Sequence, residues 1–290
     1  MDYVGAIFRP PSEADSLLVQ ATVGCSHNTC AFCAMYADKT FRAKKWETIQ
    51  ADLDEGLAEP YYRRVFLCDG DALILSTNKL VRILRYIKEH GPQIERVGVY
   101  GDARGVLAKS VEELRELKDA GLGIVYHGLE SGDDEVLRRI RKGSTAAEQA
   151  EAGRRVKQAG ILYSAIVLLG AGGEELSEQH ARNTAALLTA ADPDYVGCLM
   201  LTLVLGTPLY EDAEAGRFVL PDKWGLLREL RTIVAESDFS RCHFTANHAS
   251  NYLPIKADMP QDKPRVLALI DDVIARHDDR TLKPEWMRGL

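Results

Sequence analysis

Apolar, β-branched runs alternate with amphipathic helical patterns along most of this chain, and that rhythm leaves few options: it builds a parallel sheet with helices outside. Strands are expected at 17–23, 65–67, 96–100, 124–128, 162–169 and 195–203, each followed by a helix or a polar turn. Helix punctuation agrees, because Ser110 with Glu113 and Thr145 with Glu148 have the spacing of capping boxes, while Gly121 and Gly160 sit where helices stop. The 290 residues suit one large α/β domain or two small ones, with no repeat, low-complexity tract or interdomain linker. The pattern weakens after Tyr210. Residues 1–210 are therefore expected to form the main body, with 211–290 a C-terminal extension that packs on it or closes it within the same domain.

The strand ends carry the chemistry. They read GCSHNTCAFC, CDGD, GDAR, GLESG, LGAGGE and LGTPL in turn. In a parallel barrel the active site is built from loops at these ends, so the six segments would converge on one cavity. A glycine in each lets backbone approach a ligand closely.

In the first segment Cys25, Cys30 and Cys33 fall within nine residues. Three thiolates on so short a loop ask for a metal, and they suffice for three corners of a cubane cluster with the fourth iron left open. The alternatives are a zinc site, which wants four protein ligands and has His27 nearest, an electron-transfer cluster, which wants a fourth cysteine, and buried inert thiols.

Here the chain resembles the radical S-adenosylmethionine (SAM) superfamily, whose hallmark is a three-cysteine loop after the first strand, with an aromatic residue before the last cysteine. Phe32 holds that position. The usual spacing is three residues then two; this loop has four then two. Asp69, Gly70 and Asp71 stand where the family carries a Gly-Gly-Glu segment. Residues 128–143, GLESGDDEVLRRIRKG, are similar to the fourth-strand segment of the branch that includes tRNA methylthiotransferases and oxygen-independent coproporphyrinogen oxidases, with Lys142 in place of an arginine. Gly170 with Glu174 matches the adenine-side turn after strand five, and LGTPLY, 205–210, is similar to that branch's sixth-strand end.

The resemblance covers roughly 17–210 and implies a partial (β/α)6 TIM-like barrel. It further implies a 4Fe-4S cluster on Cys25, Cys30 and Cys33 and a SAM pocket from Phe32, Asp69, Gly70, Asp71, Glu130, Ser131, Lys142 and Gly170. One-electron reduction would cleave SAM to a 5'-deoxyadenosyl radical, which abstracts hydrogen from a substrate shielded from water. An electron donor such as flavodoxin or ferredoxin is implied as partner.

Composition narrows the partners. Thirty-six basic against 43 acidic side chains give a net charge of -7, which argues against an extended nucleic-acid footprint and favours a small-molecule substrate. The longest uncharged stretch, 195–210, is broken by Gly197, Gly206 and Pro208 and is too short to span a bilayer. The N-terminus lacks the basic and apolar regions of a signal peptide, so a reducing cytoplasm is the expected compartment. A cobalamin-binding domain is not expected in a chain of this size. Modification of RNA or of a protein side chain is the alternative reaction, and a non-catalytic iron-sulfur carrier or SAM sensor the alternative class.

Other residues have two readings. Cys68, Cys198 and Cys242 are scattered and read as small buried hydrophobes rather than a second cluster. Tyr36 either packs near the cluster or caps its loop. Lys39, Arg42, Lys44 and Lys45, and again Arg138, Arg139, Arg141 and Lys142, are solvated faces or a docking surface for an acidic electron donor. Asp102 and Arg104 either face SAM or substrate or form a turn with Gly101 and Gly105, and His127 is expected in strand packing rather than as a base. Residues 242–263 gather His243, Asn247, His248, Ser250, Asn251 and Tyr252 without helical or strand periodicity, which reads as a loop. That loop is either self-bonded or substrate-binding, and His248, Asn251 and Tyr252 are then the candidates for orienting substrate or transferring a proton.

Overall fold

The computed structural model describes residues 1–289; Leu290, the last residue of the expected extension, lies outside the described residues. The first expected strand is divided at Gln20 and Ala21 into β1 (Leu17–Val19) and β2 (Thr22–Val23), and β2 turns aside to pair antiparallel with β3 (Arg42–Ala43). Then follow α1 (Trp46–Leu57), β4 (Arg64–Leu67), α2 (Thr77–His90), β5 (Arg96–Tyr100), α3 (Ala103–Leu107), α4 (Val111–Ala120) and β6 (Leu122–Glu130). The chain continues through α5 (Asp134–Arg139), α6 (Ala146–Gln158), β7 (Leu162–Leu169), α7 (Gly173–Ala191), β8 (Tyr195–Met200) and α8 (Pro208–Glu214). It ends with α9 (Lys223–Glu236), β9 (Cys242–Thr245), β10 (Lys256–Met259) and α10 (Lys263–Arg276). The expected strands are thus present within a few residues of their limits.

Eight strands make one mostly parallel sheet in the order β1-β4-β5-β6-β7-β8-β9-β10, and no closed barrel forms among the described residues. The loop expected over 242–263 is corrected by β9 and β10: β9 runs parallel to β8, with His243 opposite Tyr195, and antiparallel to β10, with Cys242 opposite Met259. Both strands do alternate. Cys242, Phe244, Ala257 and Met259 are buried while His243 and Asp258 are exposed, but four residues are too few for a two-residue period to stand out in a polar stretch. Ser110 and Glu113 form the expected capping box, and Gly121 and Gly160 take positive φ at the helix ends.

The chain divides into two compact units, one of Met1–Asn28, Met35–His127 and Arg155–Tyr163, the other of Thr29–Ala34, Gly128–Arg154 and Ser164–Leu290. In the first, α2 buries Leu80, Ile83, Leu84 and Ile87, a stripe at helical spacing, and packs on α4. Gly56 lets α1 lie close on β1, since a Cβ there would fall 2.3 Å from Leu17 Cδ1. In the second, α7 packs on α9 and α9 on α10. Ala31, in the middle of the cysteine loop, is seated among Val136, Leu137, Ile140, Leu168, Leu201 and Leu209. Its N–H donates to the Ile140 carbonyl at 2.8 Å and its own carbonyl accepts from Leu209 N–H at 2.9 Å.

Gly132 shows how tightly the segment after β6 lies on α7. Its N–H donates to Thr184 Oγ1 at 2.9 Å, and a Cβ would fall 2.1 Å from the Asn183 carbonyl oxygen and 2.7 Å from Thr184 Cα. Backbone cannot swing away as a side-chain tip does. Gly132→Ala is therefore expected to cost about 3 kcal/mol and to lower the melting temperature by roughly 5 °C in a thermal melt.

Candidate active site

In the first unit, half-buried Cys25 follows Gly24, whose N–H donates to Asp69 Oδ2 at 2.6 Å. Asp69, at φ +68° and 0% exposed, also accepts from Gln20 Nε2 at 2.9 Å and pairs with Lys39 Nζ at 3.2 Å. Its carboxylate is committed to holding backbone. Gly70 is a glycine because a Cβ would sit 2.6 Å from Cys25 Cβ and 2.8 Å from Tyr36 Cε2. Tyr36 itself is buried and meets Phe8 edge-on at 5.6 Å, so it packs beside this segment.

Asp71, also buried, accepts from Ser26 Oγ at 2.5 Å and from Asp102 N–H at 3.4 Å. Arg104 donates to Asp102 Oδ2 at 2.5 Å and reaches Ser26 Oγ at 3.4 Å, while Asp102 Oδ1 caps α3 through Gly105 N–H. One polar network thus joins the ends of β2, β4 and β5. Burial, reinforced by the Asp102 charge, pushes the Asp71 carboxyl up to about 7, against the lowering contacts of Ser26, the Asp102 N–H and Arg104.

In the second unit, Cys30 and Cys33 are half-buried and Cys33 N–H donates to the Cys30 carbonyl at 3.3 Å. Phe32 packs against the core that seats Ala31. Glu130, at φ +65°, accepts from Lys142 Nζ at 3.0 Å, and a Cβ on Gly128 would fall 2.2 Å from that carboxylate oxygen. Ser131 Oγ lies 2.8 Å from His180 Nδ1, and Gly170 N–H donates to Glu229 Oε2 at 2.6 Å.

The C-terminal candidates are engaged with backbone and with each other. Asn251 Nδ2 donates to the Cys198 carbonyl at 2.7 Å, Met200 N–H donates to Ser250 Oγ at 3.1 Å, and His248 Nδ1 lies 2.9 Å from the same hydroxyl. Burial lowers the His248 pKa, and the Lys283 charge adds to it. Tyr252 is hydrogen-bonded to Glu285 and has the Arg288 guanidinium over its ring at 4.2 Å. Asn251 and Ser250 thus tie this segment to the end of β8, and Tyr252 ties it to residues 285–288.

The basic clusters are largely neutralised. Lys39 is spent on Asp69, Lys44 pairs with Asp2 at 3.5 Å and Asp52 at 3.7 Å, Arg138 and Arg139 pair with Glu135, and Lys142 with Glu130. Burial decides what a run of cations cannot. Cys68, Cys198 and Cys242 are buried as expected, with the Cys68 thiol pushed up to about 12 by burial; His127 is buried too, its Nδ1 at 2.9 Å from Tyr163 Oη.

Residues that sequence patterning did not single out for this region are Gln20, Ser26, His180 and Glu229. For His180 and Glu229 the only local sign is a polar side chain on a buried helix face; Gln20 and Ser26 lie outside regular elements and carry none. Burial pushes the Glu229 carboxyl up to about 7, against the lowering hydrogen bonds from Ser177 and Gly170. An acid whose folded pKa is raised binds its proton more tightly when folded, so its stabilising effect is full below the ordinary carboxyl pKa and is lost as pH rises through about 7. Stability should accordingly fall between roughly pH 5 and 8, and Glu229→Gln should flatten that slope in denaturant titrations run across the range.

The donor set fits an iron-sulfur cluster: three half-buried cysteines supply the soft thiolates such clusters take, and Gly70 keeps clear the space beside Cys25. Among the described residues no three His, Cys, Asp or Glu are gathered in metal-binding geometry, and Cys25 belongs to one compact unit, Cys30 and Cys33 to the other. The fit therefore rests on the donors' chemistry and on that cradle.

Residues 19–188, more than half of the chain, match the Radical SAM superfamily, and the chain belongs to it. It is accordingly an enzyme whose family binds a 4Fe-4S cluster and SAM and needs a reductant and a substrate. An uncharacterized methyltransferase of Pyrococcus horikoshii is 26% identical over 267 residues, which cover 90% of this chain and 54% of that protein; the chain spans about half the length of this curated relative. Among solved structures, methylornithine synthase (PylB) superposes with a TM-score of 0.54 at 18% identity, over 77% of this chain and 63% of that one. The radical SAM methyltransferase TsrM from Kitasatospora setae, solved with cobalamin and a [4Fe-4S] cluster, gives 0.56 at 20%, over 70% and 41%. At these identities the structures speak for the fold. No helix among the described residues is long and apolar enough to cross a membrane.

Proposed function

We propose that this enzyme reductively cleaves SAM at a 4Fe-4S cluster on Cys25, Cys30 and Cys33 and abstracts hydrogen from a small organic substrate in a reducing cytoplasm. The observation that carries this reading is a set of three half-buried thiols within nine residues, inside the stretch that matches the superfamily. When bound, the reduced cluster with SAM supplies a 5'-deoxyadenosyl radical.

The chain's own residues bind and orient. Asp69 fixes Gly24 beside the first thiol, and Gly70 leaves that thiol room. The Ser26, Asp71, Asp102 and Arg104 network supplies polar groups at three loops, and Glu130, Ser131, Lys142 and Gly170 contribute the remaining SAM contacts. An acidic reductant such as flavodoxin or ferredoxin donates the electron, and the net charge of -7 disfavours nucleic acid as substrate.

A second reading, transfer of a methyl group, is favoured by the methyltransferase named as a relative. The test is anaerobic reconstitution, iron analysis, reduction and addition of SAM labelled in its methyl group. About four irons per chain and release of 5'-deoxyadenosine with the label left on methionine support hydrogen abstraction. Label in a methylated product together with unlabelled S-adenosylhomocysteine supports methyl transfer, and an intact cluster without SAM cleavage sinks both.

A further inference from the structure

α9 lies in the extension beyond the stretch that carries the family resemblance, yet one of its side chains reaches a segment assigned above to SAM. Glu229 is 2% exposed. Its Oε2 accepts the Gly170 N–H at 2.6 Å, and its Oε1 accepts the Ser177 hydroxyl at 2.6 Å. Gly170 sits at φ +86°, and a Cβ there would meet Leu226 Cδ2 at 2.8 Å and Leu220 Cδ1 at 2.9 Å, so α9 and the chain before it close on this turn.

Three residues after Ser177, and therefore on the same face of α7, fully buried His180 places Nε2 at 3.9 Å from Glu229 Oε2 and Nδ1 at 2.8 Å from Ser131 Oγ. Ser131 Oγ in turn accepts the Asp133 N–H at 3.0 Å. His180 thus packs between Glu229 and Ser131, hydrogen-bonding distance being reached only on the Ser131 side. A glycine at positive φ has an unusually free peptide, and a buried carboxyl oxygen accepting its N–H selects a single orientation of it.

We propose that Glu229 is a positioning residue for SAM: it sets the Gly170 turn through the Gly170 N–H and is itself held by Ser177, so that the C-terminal extension completes the SAM pocket. The proposal rests on the SAM-pocket assignment of Gly170 made under the functional reading. Without the acceptor, the Gly170 N–H is left buried and unpaired, and the turn must rearrange to satisfy it. SAM affinity should change while the chemical step does not.

The test uses the full chain, reconstituted anaerobically, with SAM binding measured by equilibrium titration beside iron content, melting temperature, KM and kcat. Glu229→Leu is expected to raise both Kd and KM for SAM about tenfold, with kcat within about twofold and iron content unchanged. Glu229→Gln, which keeps an acceptor for Gly170 and can still engage Ser177, should stay within about threefold of wild type. Ser177→Ala leaves the packing intact and frees one carboxylate oxygen, and should weaken SAM about threefold. Wild-type affinity in folded Glu229→Leu, or a fall in kcat at unchanged Kd, overturns the proposal. Unchanged affinity in Ser177→Ala does so even where Glu229→Leu fails to fold. A wild type that loads iron but binds no SAM is a separate result and overturns the functional reading together with the proposal.

Discussion

Cys30→Ala should eliminate 5'-deoxyadenosine formation by the reduced, reconstituted protein. A cluster held by three thiolates has no spare ligand, so removing one leaves two, and the loss should exceed the roughly 10- to 100-fold that removal of even an outer partner costs at metal sites. The fold should survive, because the loop is anchored by Ala31, through its backbone hydrogen bonds to Ile140 and Leu209 and its seat in the core, rather than by Cys30. Cys68→Ala is the control. That cysteine is 0% exposed and its thiol is pushed up to about 12, which makes it a poor source of thiolate, so this variant should keep both iron and product. Iron analysis and product chromatography decide the matter, and a Cys30→Ala protein with full iron and undiminished product would move the cluster elsewhere.

Lys39→Met should be the most destabilising substitution away from the cysteines. Lys39 and Asp69 form a pair whose side chains are 2% and 0% exposed, at 3.2 Å. Removing the ammonium leaves an uncompensated charge in the interior, at a cost of about 3–5 kcal/mol. Cluster loading should fall as well, because the same carboxylate holds the Gly24 N–H next to Cys25. Adding Asp69→Asn removes the stranded charge and should restore about half of the lost stability in a urea titration. Simple additivity of the two substitutions would show that the pair is not coupled.

The strands β4 to β8 were readable because each carries an apolar run, and the capping box at Ser110 and Glu113 because its two partners are three residues apart. The cysteine loop was readable for the same reason. The division of the first strand, the pairing of β9 with β8 and the burial of Lys39 were not, since each depends on partners far away along the chain: Thr22 meets Ala43, His243 meets Tyr195, and Lys39 meets Asp69.

The sequence by itself determined the βα order, the family, the three thiol donors and the glycines at the strand ends, all of which are written in neighbouring residues and their periodicity. The tertiary structure decided which charges are buried, that Asp69 faces Lys39 and Gln20, and that Glu229 reaches Gly170 and Ser177 from a helix more than fifty residues later. The physical reason is that burial and pairing energies depend on where the folded chain brings distant groups together, and a local pattern carries no record of that.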